Sequence, residues 1–150
     1  MRISSQGLAL IQHFEGFSPV VYRCPAGIPT IGYGHVVRDV ARYALGIDEP
    51  MAQKLLAADV TVAEDAVARL ITVLLTQAQF DALVSFTFNL GAGKLQMSRL
   101  RRLVNRQEHA VVPAELMRWV YANGKILPGL VARRQAEGQL YATRRNETAA

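Results

Sequence analysis

Three side chains near the N-terminus, those of Glu15, Cys24 and Thr30, have types and a spacing that suit cleavage of a glycosidic bond. Such cleavage needs a carboxylic acid that protonates the leaving oxygen. It also needs a group on the opposite face of the sugar that orients or activates water, or attacks directly. Glu15 lies between Phe14 and Phe17, where partial burial would disfavour the charged carboxylate. Cys24 and Thr30 flank a predicted hairpin turn, so both could face one cleft.

The segments around these residues carry helix signals and then short-strand signals. Ser4 and Ser5 are plausible N-caps of a first helix, which we expect to end at Glu15 because Gly16 is a natural stop. Segments 20–22 and 30–33 are rich in residues that favour strands, and glycine and proline separate them. The sequence therefore predicts a small antiparallel sheet directly after the helix that carries the acid.

The remainder of the chain has mainly helical patterns. A long helix is predicted from Asp48 to about residue 70, with Met51, Leu55, Val62 and Ala66 on its apolar face. Further along the chain, the predicted features are a capping box at 76–79 opening a helix to residue 91, helices at 96–105 and 113–121, a turn at 123–124 and a last helix at 128–141. A short strand region followed by helices predicts an α+β fold with the helices segregated.

Bulk composition indicates a globular domain that can bury a substantial core. Of 150 residues, 51% are hydrophobic and 19% are charged, which is unlike a disordered chain. No apolar run approaches the length of a membrane span, and the N-terminus lacks a secretory pattern, so we expect a cytoplasmic protein. The single cysteine, Cys24, excludes an internal disulfide and fits a reducing compartment.

The net charge of +5 is unevenly distributed along the chain. Residues 1–75 contain six Lys and Arg against seven Asp and Glu, whereas residues 76–150 contain eleven against five. A basic half suggests an anionic polymer as partner, either nucleic acid or a cell wall with acidic groups. A solvated arginine face that only keeps the protein soluble explains the same charge.

The order Glu15, Cys24 and Thr30, followed by Ile-Gly-Tyr-Gly-His35, resembles the phage-type lysozymes, the endolysin muramidases of glycoside hydrolase family 24. The resemblance covers almost the whole chain. It extends to the first helix, to a central core helix and to two closing segments, which are residues 3–16, 79–91, 118–119 and 127–137.

The resemblance implies hydrolysis of the β-1,4 bond between N-acetylmuramic acid and N-acetylglucosamine, with inversion. Glu15 matches the family's general acid, and Thr30 matches a threonine that helps to hold the attacking water. Cys24 occupies the second catalytic position, which is aspartate in many members and cysteine in a recurrent subset. The implied fold is two-lobed: residues 1–48 form a helix and small sheet lobe, 49–70 a connecting helix, 71–143 a helical lobe and 144–150 a polar tail.

The same resemblance assigns supporting residues. It implies that His35 pairs with Asp59 to tie the sheet to the long helix, and that Gly34, Val36, Phe88 and Asn89 contact substrate. A core role for Phe88 is an equally serious interpretation. A sugar-stacking or a packing role stays open for Trp119, and wall binding or support of the lobe interface stays open for Arg133 and Arg134.

Two roles for Cys24 are compatible with the sequence. A free thiol has a pKa of about 8.5, so Cys24 either is activated as a thiolate or acts as a weak positioning group while Thr30 orients water. Other functions remain as alternatives: a peptidoglycan amidase or peptidase that uses Cys24 and His35, and a non-catalytic basic module that binds walls.

The muramidase interpretation also carries expectations about partners. We expect peptidoglycan as substrate, a monomer, no cofactor or metal, no nucleic acid and no stable membrane insertion. His13, His35 and His109 have no metal-ligand spacing. A phage endolysin with this N-terminus would wait in the host cytoplasm and reach the periplasm and cell wall through a holin-type lesion.

Overall fold

A small sheet region near the N-terminus precedes a larger helical region, which confirms the predicted α+β class. The computed structural model describes residues 1–144, so all but the first residue of the expected polar tail lies outside the described residues. The helices are α1 (Ser5–Glu15), α2 (Glu49–Leu70), α3 (Gln77–Leu90), α4 (Ala92–Met97), α5 (Arg99–Asn105), α6 (Val112–Leu116) and α7 (Pro128–Ala142). The strands are β1 (Ser18–Arg23), β2 (Pro29–Gly32), β3 (His35–Val36), β4 (Tyr121–Ala122) and β5 (Lys125–Ile126).

Local sequence signals set both ends of α1, the helix that carries Glu15. The Ser4 hydroxyl accepts the N–H of Gly7 at 3.2 Å, which caps the first turn. Gly16 adopts a φ of 71°, in the left-handed region that glycine tolerates, and ends the helix after Glu15. Since α1 packs on α3 and α7, the position of Glu15 depends on helices that follow much later in the chain.

The three-stranded sheet places Thr30 of β2 beside the two residues of β3. Strands β1, β2 and β3 pair in that order, all antiparallel. Thr30 on the central strand is opposite Tyr22 on one side and Val36 on the other, and Ile31 is opposite His35. Thr30 therefore lies one strand away from the residues of β3.

The long helix α2 has the expected bounds but a different buried face. Ala66 is buried as expected, but Met51 and Val62, also expected inside, are 42% and 71% exposed. The true stripe is rotated by one residue, about 100° around the helix. The rotation places Ala52 against β2, where a Cβ added at Gly32 would lie 3.2 Å from the Ala52 Cβ. Leu55 is half-buried, and the buried residues are Ala52, Leu56, Val60, Ala63, Glu64, Ala66, Val67 and Leu70.

Helix α3 is the centre of the helical region. Its predicted capping box is present: the Thr76 hydroxyl accepts the Gln79 N–H, and the Gln79 side chain accepts the Thr76 N–H. Residues 80–87 are all buried, and α3 contacts α1, α2, α4 and α7. A helix that is buried on every side belongs in the core.

Two of the predicted helices are wrong in extent. The expected helix 96–105 is two helices, because Ser98 leaves helical geometry and its hydroxyl accepts the Arg101 N–H as the N-cap of α5. The expected helix 113–121 is the shorter α6, and Tyr121 begins the hairpin β4–β5 around the predicted turn. Within residues 1–144, no helix has both the length and the apolar character needed to cross a membrane.

Candidate active site

Glu15 is the last residue of α1, and its carboxylate is held by a buried arginine. Arg133 of α7 donates to the Oε1 atom of Glu15 at 2.8 Å. The side chain of Arg133 is 4% exposed and that of Glu15 is 22% exposed. The second carboxylate oxygen, Oε2, faces Gly34, because a Cβ added there would be 3.2 Å from it. One oxygen is thus bound to a cation and the other faces Gly34.

Glu15 is partly buried as expected, but the two phenylalanines beside it in the sequence are not what surrounds its carboxyl group. Phe17 is 40% exposed, and Phe14 is half-buried with the guanidinium of Arg133 5.8 Å from its ring centroid. The aromatic neighbours of Glu15 therefore do not enclose its carboxyl group. The direction in which that group points is set by Arg133, at a distance of 118 positions in the sequence.

A cavity of about 580 Å³ lies beside Glu15. It contains all four expected substrate contacts and the expected supporting pair, together with one residue that the sequence analysis did not select, Arg38. The lining residues are Glu15, Gly34, His35, Val36, Arg38, Asp59, Phe88 and Asn89. The cavity is thus bordered by α1, the β2–β3 turn, α2 and the end of α3.

His35 and Asp59 join the sheet to the long helix. The Nδ1 atom of His35 lies 2.8 Å from the Oδ2 atom of Asp59. Their side chains are 24% and 30% exposed, so the pair lines the cavity and is not fully buried. The contact fixes β3, and with it Gly34 and Val36, against α2.

Cys24 and Thr30 lie close to each other but are not among the residues that line this cavity. The N–H of Cys24 donates to the Ile28 carbonyl, and the buried Thr30 hydroxyl donates to the same carbonyl at 2.9 Å. Hydrogen bonding, first by the backbone at Ile28 and more weakly at Ala26 and from the Thr30 side chain, lowers the pKa of the Cys24 thiol, although partial desolvation opposes it. The thiolate is therefore favoured more than the sequence alone indicated.

Arg133 and Arg134 support the cleft from behind. Both are buried, so they are not available to an external wall polymer. Arg133 joins α7 to Glu15 of α1, whereas the contacts of Arg134 with Asn89 and Glu137 stay within the helical region. Arg134 donates to the Oδ1 atom of Asn89 at 2.9 Å, which fixes the amide that faces the cavity. Its Nε atom is 2.9 Å from Glu137 Oε2, a close ion pair that is not aligned as a hydrogen bond.

Sequence reasoning left the roles of three of these residues unassigned. Arg133 and Arg134 could have been noticed as a pair of charged residues in a helix that otherwise packs on the core. Their partners, Glu15 and Asn89, could not be predicted because they lie 118 and 45 positions away in the sequence. Arg38 carried no distinguishing pattern. Trp119, considered as a sugar-stacking residue, is half-buried and packs edge-on against Phe86, with centroids 5.4 Å apart.

The alternative nucleophile–base pair is not assembled in this structure. A thiol nucleophile needs its base within hydrogen-bond reach. Among residues 1–144, the contacts of Cys24 are with the turn backbone and Thr30, and His35 is bonded to Asp59. In the same part of the chain, no three His, Cys, Asp or Glu side chains are grouped so that they could hold a metal ion.

Comparisons with known proteins agree on one family. Residues 12–137 match the family model described as phage lysozyme. The endolysin of Bacillus phage B103 is 40% identical over 95% of this chain, but the chain spans only 55% of that relative. The endolysin of Acyrthosiphon pisum secondary endosymbiont phage 1 is 38% identical, with 94% of this chain and 98% of the relative covered. The muramidase domain of SpmX from Asticaccaulis excentricus superimposes with a TM-score of 0.86 and 35% identity, covering 95% of this chain and 99% of that domain.

Proposed function

Because the chain belongs to the phage lysozyme family, we propose that its cleft hydrolyses the β-1,4 bond between N-acetylmuramic acid and N-acetylglucosamine in bacterial peptidoglycan. The chain would act as a single catalytic domain of an endolysin, with a sheet-bearing part before residue 49, the connecting helix 49–70 and a helical part to residue 143. The observation that carries the proposal is the placement of Glu15, with one carboxylate oxygen on Arg133 and the other facing the cavity.

In this proposal Glu15 is the general acid. Its Oε2 atom delivers a proton to the glycosidic oxygen as the bond to the sugar C1 breaks. The hydrogen bond from Arg133 to Oε1 holds the carboxyl group in one orientation, so that the proton is presented by the oxygen on the cavity side. Positioning of this kind reduces the entropic part of the barrier.

Cys24 and Thr30 are proposed to govern the attacking water. The lowered pKa of Cys24 increases the share of thiolate that can accept a proton from water. The Thr30 hydroxyl shares its one proton between the Ile28 carbonyl and the Cys24 sulfur, and its lone pairs accept a hydrogen bond from water. Water added to C1 from the face opposite Glu15 gives the inverted product.

The remaining cavity residues are proposed to bind the glycan. Phe88 and Val36 offer apolar surface to the faces of the sugar rings, and Asn89 offers an amide fixed by Arg134. Gly34 leaves the space that a sugar requires beside Glu15. His35 and Asp59 are proposed to hold the β3 side of this cleft in place.

Peptidoglycan is the proposed partner, and the proposed active form is a monomer. The protein would be made in the host cytoplasm, cross the membrane through a holin-type lesion and act in the periplasm and cell wall. Expression with and without a holin tests this route: lysis without a holin would contradict it.

The decisive experiment is mass analysis of the fragments that wild type and Glu15→Gln release from purified peptidoglycan. We expect wild type to release muropeptides with new reducing muramic acid ends and Glu15→Gln to release none while it retains its fold. Peptide cleavage with intact glycan strands would replace the proposal with an amidase or peptidase. Release of the same muropeptides by both proteins would show that Glu15 is not the acid.

A further inference from the structure

All of the excess positive charge of this protein comes from one stretch of the chain. Between Asp81 and Glu108 there are five Lys and Arg and no Asp or Glu. Outside that stretch, twelve Lys and Arg balance twelve Asp and Glu. A general need for solubility would spread the charge over the surface, so its concentration here requires a local explanation.

Most of these charges lie on α5. We call Arg99, Arg101, Arg102 and Arg106 the arginine face. Two adjoining cavities of about 520 and 550 Å³ open beside it, and both are lined by Arg102 and Arg106. Neither cavity shares a residue with the one beside Glu15, so the arginine face is separate from the candidate active site.

Contacts within the protein leave the arginine face largely without negative partners. Within residues 1–144, Arg102 and Arg106 make no side-chain hydrogen bond or ion pair, although Glu108 lines one of their two cavities. Arg99 is 4.0 Å from Glu115, at the limit of an ion pair. Like charges three and four positions apart on a helix destabilise it, and an external anion would remove that penalty.

Arg101 differs from the other three arginines because its guanidinium is hydrogen-bonded within the protein. Its guanidinium donates to the carbonyls of Leu70 and Gln96, both at 3.1 Å. Asn105 also contacts the Leu70 carbonyl and accepts the Thr72 N–H at 2.8 Å. The loop after α2 is therefore attached to α5.

Two exposed apolar side chains belong to the segments next to α5, namely the end of α4 and the loop that is bonded to α5. Met97 is 86% exposed and lines the same cavity as Arg102 and Arg106. Leu74 is 98% exposed and follows Thr72, which is bonded to α5, by two positions. A soluble polyanion gains nothing from exposed Met and Leu, whereas a lipid surface receives both the cations and the apolar side chains.

We propose that the arginine face docks reversibly on an anionic phospholipid surface. Arg99, Arg102 and Arg106 bind the headgroup phosphates, and Met97 and Leu74 enter the layer between the headgroups and the acyl chains. The contact is peripheral, because α5 has only seven residues. It would hold the enzyme at the membrane while the separate cleft remains open to the wall polymer.

The test is sedimentation with vesicles of equal parts phosphatidylcholine and phosphatidylglycerol, compared with phosphatidylcholine alone, at physiological salt. We expect binding only to the anionic vesicles, and about 30-fold weaker binding for Arg102→Gln/Arg106→Gln, since each arginine near such a surface contributes about fivefold. The matched control is Lys54→Gln/Arg69→Gln, which removes two exposed cations from α2. It should retain most of the binding.

A second variant separates lipid from other polyanions. Met97→Ser/Leu74→Ser should weaken binding to vesicles and leave binding to soluble polyphosphate unchanged. Equal binding to neutral and anionic vesicles, an equal loss in the α2 control, or unchanged vesicle binding by Met97→Ser/Leu74→Ser would each overturn the proposal. Hydrolysis of solubilised peptidoglycan should be the same in all variants, so these outcomes are distinct from a failure of the muramidase proposal.

Discussion

Replacement of Arg133 by Met tests how Glu15 is held. The change removes a guanidinium that donates to Glu15 Oε1 at 2.8 Å and to the Ser85 carbonyl at 3.3 Å, and that lies 3.4 Å from Glu137 Oε1. Removing one partner from a buried ionic group costs about 3–5 kcal/mol, because the other charges lose compensation that water cannot replace. We expect a destabilisation in that range together with a severe loss of activity.

The loss of unfolding free energy in Arg133→Met should divide unequally between the carboxylates of Glu15 and Glu137. The Glu15 side chain is 22% exposed and can be partly rehydrated, so its coupling with Arg133 should be about 1–2 kcal/mol. The Glu137 side chain is fully buried and retains only Arg134 as a cation, so the larger share of the loss arises there. Met approximates the volume of the arginine stem and limits the contribution from an empty cavity.

The assay is a double-mutant cycle in urea, with wild type, Arg133→Met, Glu15→Gln and the double variant. Arg133→Lys is the milder substitution if Arg133→Met does not fold, because it retains the charge and loses the two-pronged geometry. A coupling energy near zero would refute the reasoning. In that result Arg133 would support Glu137 alone, and the orientation of Glu15 would have another cause.

Two further predictions concern the cleft and the thiol. Gly34→Ala places a methyl group 3.2 Å from Glu15 Oε2 at a φ of 80°, so we expect a loss of about 1–2 kcal/mol in unfolding free energy and a large fall in activity. The matched control Gly124→Ala has a φ of 75° and no neighbour within 4 Å, so it should lose similar stability and remain active; equal activities would contradict the argument. Alkylation of Cys24 by iodoacetamide should have its pH midpoint below that of a free thiol, because hydrogen bonds favour the thiolate. Thr30→Val should raise the midpoint, and an unchanged midpoint would exclude a contribution from the hydroxyl.

Features encoded by neighbouring residues were predictable from the sequence. The cap at Ser4, the stop at Gly16 and the capping box at Thr76 each depend on residues within one helical turn, and each lies where the sequence placed it. The start of α2 follows from its cap at Asp48 in the same way. These signals position Glu15 at a helix end without any knowledge of tertiary contacts.

Features that depend on tertiary contacts were not predictable in this way. Helix α2 has apolar residues on more than one face, so periodicity could not distinguish the stripe of Met51 from that of Ala52. Contact with β2 selects the face with the smaller side chain. The contact of Glu15 with Arg133 could not be predicted for a related reason, because no local pattern indicates that α7 crosses the end of α1.

The buried charges of α7 are better explained by positioning than by stability. Burying Arg133, Arg134 and Glu137 carries a desolvation cost that well-packed apolar side chains of similar volume would avoid. Yet the two adjacent arginines reach different walls of the cleft: Arg133 binds Glu15 at the end of α1, and Arg134 binds Asn89 at the end of α3. Glu137 lies against both guanidinium groups and fixes their directions. An apolar replacement of the cluster could retain the fold, but it would release Glu15 and Asn89 together, so the geometry of the cleft accounts for a core that is more polar than folding requires.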